Sequence, residues 1–207
     1  MHSRDLYSFF SKPYIAHDFY HAKSGGSLHI LSGFETYQQT TEYTCGSASA
    51  KMVLHWYGTD EEYDELEIGK LAGIDTEKGT SVEGMANFFE SIGWEVEFHA
   101  GTAYFFESIE EAESWLLAQL DEGKPVMVDW EDWAGHWQVV IGLDTCGTDD
   151  PYDDVLILAD PYDITDHYQD GYYTFPMGRF FDMWREGPCA QKTEPYVQPF
   201  VAAQPKN

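Results

Sequence analysis

Residues 38–58 read QQTTEYTCGSASAKMVLHWYG, and the fold turns on why a cysteine should open this run. A polar loop ends at Thr44, small residues fill 46–50, and from there Met52, Val53 and Trp56 cover one side of a helix while Ala50, Leu54 and Tyr57 cover the neighbouring side. Only Lys51 and His55, four apart on one stripe, offer a solvated edge, so the helix is expected to be buried. Taken alone, Cys45 reads as a small buried hydrophobe. Its place at a helix start suggests more, because the positive end of the helix dipole favours a thiolate, the nucleophilic form of cysteine. The small residues behind it are expected to leave that end open to a substrate backbone. Gln39, six residues upstream, is close enough for a short loop to bring its amide beside the sulfur, where an amide can serve an oxyanion.

The rest of the chain excludes several function classes. It has 207 residues, 43% of them hydrophobic and 16% aromatic, so a formal net charge of −26 describes a folded acidic protein rather than a disordered one. Eleven Lys plus Arg against 37 Asp plus Glu exclude a nucleic-acid partner, whose affinity rests on basic side chains displacing counterions. No apolar run approaches the roughly 20 residues that cross a bilayer. The N-terminus shows no secretory signal, and with free thiols this makes the cytoplasm the expected compartment. Cys45, Cys146 and Cys189 are an odd number in no metal spacing, which argues against a disulfide scaffold, and neither a metal nor another cofactor is called for.

Helical patterns at 45–57, 61–72 and 81–92 come first, each followed by a glycine where a helix C-cap belongs. Strand patterns follow at 94–99, 125–130, 136–143, 154–159 and 171–175, with helices at about 107–121 and at MGRFFDMW, residues 177–184. Helices first and mainly antiparallel strands second indicate an α+β domain. The whole of 1–207 is expected to be one domain with its core at roughly 27–187. The N-terminal extension and the tail, with Pro195, Pro199 and Pro205, are expected to be peripheral. The acidic run DTCGTDDPYDD, 144–154, offers oxygen ligands but lacks the spacing of a calcium loop, and reads as a solvated charge run. Gly25-Gly26 reads as a turn before a strand.

A cysteine nucleophile needs a base and a group that orients the base. Of the eight histidines His136 is best placed, opening a strand with Gln138, Val140 and Gly142 on its own face. The next strand ends at Asp160, which Pro161 holds extended. If the two strands pair, His136 and Asp160 meet at one edge of the sheet. Asp129 and Asp163 compete for the orienting role, Gln38 competes with Gln39, and Tyr162 either lines the site or merely packs.

Gln-x5-Cys-Gly opening a helix, a later Gly-His-Trp-x-Val-Val-Ile-Gly strand and a still later Asp-Pro at a strand end resemble the papain-like cysteine peptidases of the bacteriocin-processing, double-glycine leader type, and most of all their stand-alone relatives. The likeness runs over roughly 37–184. It implies a papain-like fold with a cleft between a helical half and a sheet half. It further implies Cys45 as nucleophile, His136 as general base and acid, Asp160 as the orienter of His136, and the Gln39 side chain with the Cys45 N–H as oxyanion hole. The substrate is then a peptide or protein, and the reaction peptide-bond hydrolysis through a thioester. The transporter commonly fused to leader peptidases is absent from this sequence. Two other outcomes stay open: resolution of the same acyl-enzyme by an amine, which makes a transpeptidase or acyltransferase, and a non-catalytic peptide-binding module on the same fold.

Overall fold

The computed structural model describes residues 17–132, 134–164, 168–186 and 194–206. Helix α1 spans Cys45–Trp56, with nine of its residues buried. The single helix expected over 61–72 is in fact a short 3-10 turn at Asp60–Glu62 followed by α2, Glu65–Leu71. Asp64 explains the break: its carboxylate accepts the Glu67 N–H at 2.8 Å while the Glu67 carboxylate accepts the Asp64 N–H at 3.1 Å, a reciprocal cap that starts a new helix. Ser81 caps α3, Val82–Ser91, and Ser108 caps α4, Ile109–Asp121, in the same way through their hydroxyls. Gly58 and Gly93 follow α1 and α3 with φ of +73° and +87°, a backbone region that suits glycine.

The strands are β1 Leu28–Ile30, β2 Glu95–His99, β3 Val126–Glu131, β4 Gly135–Asp144, β5 Val155–Ala159, β6 Tyr172–Pro176 and β7 Phe200–Gln204, with a short helix α5, Met177–Met183, after β6. They form one antiparallel sheet in the order β2-β7-β3-β4-β5-β6. At ten residues, β4 is long enough for β3 to pair with Gly135–Val140 and β1 with Gly142–Asp144 along one edge, leaving the other to β5. Gly25 and Gly26 do precede a strand, as expected.

The C-terminal segment corrects the sequence reading. It is not a peripheral tail: β7 lies between β2 and β3, with Phe200 and Val201 fully buried. Pro199 and Pro205 bracket the strand rather than interrupt it, so every ladder N–H comes from Phe200–Gln204. The Pro199 carbonyl itself accepts the Trp184 indole N–H at 3.0 Å. Phe200 centres an aromatic cluster, its ring 4.6 Å from that of Trp115 and 5.1 Å from that of Phe105. A second correction concerns the acidic run. Asp149, Asp150 and Asp153 are exposed, but Asp154 is buried, and burial next to Glu113 pushes its carboxyl up to about 7.

The small residues behind Cys45 also serve a different end from the one expected. They are buried because α1 lies directly on β4: the Ser49 hydroxyl donates to the Trp137 carbonyl at 3.2 Å. A methyl on Gly46 would sit 3.1 Å from the Trp137 ring and 3.2 Å from Met85. Smallness at 46–49 therefore brings helix and sheet together and sets where Cys45 ends up.

Phe200→Ala should lower the unfolding free energy by about 3–5 kcal/mol in urea or guanidinium titration, the cost of emptying a fully buried aromatic site. A loose tail would register less than about 0.5 kcal/mol.

Candidate active site

Cys45 is the first residue of α1, 8% exposed, at the positive end of the helix dipole, with no acidic side chain in the first turn. The preceding loop is tied to itself: the Thr44 hydroxyl donates to the Thr41 carbonyl at 3.1 Å and accepts the Thr41 N–H at 3.1 Å, so it does not cap the helix. The first N–H groups of α1 are left without a side-chain cap.

His136 lies near the start of β4, only 3% exposed. Its Nε2 is 2.7 Å from Asp160 Oδ1, and Cys45 is close enough to act on its titration. With Nε2 on the carboxylate, Nδ1 is the nitrogen that faces the sulfur. Burial pulls the imidazole pKa down, but the hydrogen bond to Asp160, the interaction with Cys45 and the negative charges of both outweigh it and raise the pKa from 6.5 to about 10. Asp160, 3% exposed, goes the other way: burial opposes its charge, yet the bond and charge of His136, the Tyr162 N–H and the Gln138 amide hold it below its usual value. The Tyr162 N–H donates to Asp160 Oδ1 at 2.9 Å. The Tyr162 ring stands nearly perpendicular to that of His136, with centroids 6.2 Å apart, and its hydroxyl donates to Glu42 at 3.0 Å.

Gln39 joins this group through its backbone, whose N–H donates to the Pro161 carbonyl at 2.8 Å. Its side-chain Nε2 donates back to the Thr41 carbonyl at 2.7 Å, which leaves one amide N–H uncommitted, while Oε1 is buried without a hydrogen-bond partner. Gln38 is exposed and Gln39 half-buried.

The competitors separate cleanly. Asp129 stands opposite Trp137 in the β3–β4 register, one residue out of step with His136 and so on the other face of the sheet. Asp163, at φ +47°, accepts the Gly171 N–H at 3.1 Å and shapes the loop after Asp160. His55 contacts Glu35, Asp60 and Tyr37, away from Cys45. Cys146 is exposed beside Asp144, and Cys189 lies outside the described residues. Among the described residues no three His, Cys, Asp or Glu side chains form a group that could hold a metal ion.

Sequence reasoning gave no role to three further residues. Glu42 meets Tyr162, and Asp132 is close enough for His136 and Asp160 to act on its carboxyl, which burial raises. Gln138 accepts the Trp130 indole N–H at 2.8 Å. Only the last had a legible signal, since a β3–β4 hairpin register sets Trp130 opposite His136 and beside Gln138.

The family model described as the Peptidase C39-like family matches residues 31–189. Among solved structures, the peptidase domain of Streptococcus ComA, a bi-functional ABC transporter involved in a quorum-sensing pathway, is 18% identical over 84% of this chain and 99% of its own, with a TM-score of 0.55. A double-glycine-motif protease from an AMS/PCAT transporter, in complex with the leader peptide, is 15% identical over 83% of this chain and 91% of its own, with a TM-score of 0.49. The Streptococcus mutans ComA peptidase domain is 13% identical over 83% and 100%, with a TM-score of 0.45. No curated protein matches the chain. At such identities the ComA likeness speaks for a papain-like peptidase fold, and no helix among the described residues is long and apolar enough to cross a membrane.

Asp160→Asn should lower the His136 titration midpoint, read by NMR of the imidazole, by at least about one unit, because the carboxylate is a main support of the imidazolium. The sign for stability follows. A histidine whose pKa is raised on folding stabilises the native state fully below about 6.5, and that contribution disappears as pH rises through about 10.

Proposed function

Because the chain belongs to the Peptidase C39-like family, we propose that it is a cysteine peptidase that hydrolyses peptide bonds through a thioester acyl-enzyme. The observation that carries this reading is the continuous buried chain of contacts from Cys45 through His136 to Asp160. The strands from β1 to β7 share one sheet, so residues 28–204 are taken as one catalytic domain.

In the first half-reaction the Cys45 thiolate attacks the scissile carbonyl carbon and the carbonyl oxygen takes the negative charge. The Cys45 N–H and the free N–H of the Gln39 amide donate to that oxyanion. His136, protonated at the outset, gives its Nδ1 proton to the leaving nitrogen as the C–N bond breaks, and a thioester and a free amine result. A water then enters, His136 takes its proton, the hydroxide attacks the thioester carbon, and breaking of the C–S bond returns the thiolate beside the imidazolium. Asp160 stays ionised throughout, holding His136 by Nε2 so that Nδ1 faces sulfur and substrate in turn.

The substrate is a peptide or protein. A double-glycine peptide, the substrate class implied by the resemblance at Gln39, Cys45, His136 and Asp160, supplies the starting probe. The acidic surface favours basic character in the flanking residues.

The test is iodoacetamide labelling of Cys45 against pH, located by peptide mapping, together with mass analysis of products from a double-glycine peptide. Fast labelling at about pH 6 that disappears in His136→Ala, and cleavage that falls at least about 10³-fold in Cys45→Ala, are expected. Labelling that rises only above about pH 8 would favour the binding module. A product joined to an added amine would favour the transferase.

A further inference from the structure

Gln138 is fully buried and sits two residues beyond His136 on β4, so both side chains leave the same face of the sheet. Trp130, also fully buried, stands opposite His136 across the β3–β4 pair. On the other edge of β4 the register pairs Val139 with Ala159 and Val140 with Leu158. One further step brings Gln138 opposite Asp160, at a cross-strand side-chain separation of about 5 Å. His136 and Asp160 are then diagonal neighbours, which is how their side chains meet.

The orientation of the Gln138 amide follows from chemistry. An indole N–H can only donate, so the atom receiving it at 2.8 Å is the amide oxygen. The NH2 group therefore turns away from Trp130. Its nitrogen is buried and has no partner at ordinary hydrogen-bond distance, yet the amide is among the groups that hold the Asp160 carboxyl below its usual range. The amide therefore acts on the carboxylate without a hydrogen bond of ordinary length. Asp160 has use for it: among the described residues, the two bonds its carboxylate makes, with His136 Nε2 and from the Tyr162 N–H, both land on Oδ1. Oδ2 is the oxygen left for the amide.

We propose that Gln138 is a positioning residue for the catalytic pair: anchored by the Trp130 indole, its amide holds the Asp160 carboxylate aimed at His136. The Trp130–Gln138–Asp160–His136–Cys45 series is then one polar path through the core, in which an indole three contacts away from the imidazole influences its protonation. This rests on the roles given above to Asp160 and His136.

The experiment compares wild type, Gln138→Met, Trp130→Phe and the double variant in the full chain. It follows the His136 titration by NMR and the pH profile of Cys45 alkylation, with thermal unfolding recorded alongside. Removing the amide frees the carboxylate to turn, and a carboxylate no longer aimed at Nε2 supports the imidazolium less. Gln138→Met should therefore bring the His136 midpoint down by about one unit and slow alkylation at pH 6 by about tenfold. Trp130→Phe, which leaves the amide in place but unanchored, should shift both in the same direction by less. The double variant should be no worse than Gln138→Met in these two readouts, since the indole acts through the amide. A residue that merely packs would change the unfolding temperature and move neither, and an unmoved His136 midpoint in Gln138→Met overturns the proposal. Should Gln138→Met fail to fold, the midpoint in Trp130→Phe decides on the same terms. The two readings fail separately: a protein that cleaves no peptide, but whose His136 midpoint drops in Gln138→Met, keeps this role and loses the hydrolase.

Discussion

A buried imidazole and a buried carboxylate, each 3% exposed, can persist in a protein interior only as a pair. Taking either charge out of water is expensive, and removing one partner of such a pair costs about 3–5 kcal/mol because the other is left uncompensated. Much of the surrounding structure serves this one constraint. The β4–β5 register brings the two residues into diagonal contact, and a bulge between Val140 and Gly142 falls beyond that point, where it does not disturb the pairing next to the site. The Tyr162 backbone N–H donates to the carboxylate, and the Trp130 indole holds the neighbouring Gln138 amide.

The sulfur reaches this pair through packing rather than through any polar device of its own. Gly46, Ser47, Ala48 and Ser49 let α1 settle on β4, and Trp137 completes the contact by donating its indole N–H to the Thr80 carbonyl at 2.9 Å. A larger residue at 46 would push the helix away from Trp137 and carry Cys45 with it. His136 and Trp137 are consecutive, so one face of β4 presents the imidazole while the other receives the helix whose first residue faces that imidazole. Catalytic geometry and core packing are coupled by a single peptide bond.

How legible this was depended on the range of the signal. The apolar circumference of 45–57 and the alternating strand patterns are local, and they located α1, β4 and β5 to within a residue or two. The family resemblance then names Cys45, Gln39, His136 and Asp160 as a set; the structure sets His136 against Asp160 and near Cys45, and ties Gln39 to Pro161 by its backbone. What stayed hidden was non-local. Phe200–Gln204 is only five residues long and flanked by prolines, so it carries little signal of its own. It becomes a strand because β2 and β3 each offer it an edge and the Trp115, Phe105 and Trp184 rings offer it a socket. Asp154 reads as part of the charged run, although a residue just before a core strand can be buried while the one before it is exposed. Small residues after a cysteine read equally well as room for substrate and as room for a sheet, and only the position of Trp137 separates the two.

The segment Asp160-Pro161-Tyr162 ties the two halves of the site together. Asp160 binds His136 on the sheet side; the Pro161 carbonyl binds the Gln39 N–H; and the Tyr162 hydroxyl reaches Glu42, in the loop that leads to Cys45. Three consecutive residues thus make one bond to the proposed base and two to the loop proposed to carry the oxyanion donor. A shift of that loop alone would strain the Pro161 and Tyr162 bonds, and a shift of the strand end would strain all three. The base and the oxyanion donor are therefore held at a fixed separation from each other, not merely each to its own support. A mechanism in which one proton and one negative charge must be handled within the same few ångströms requires that relation.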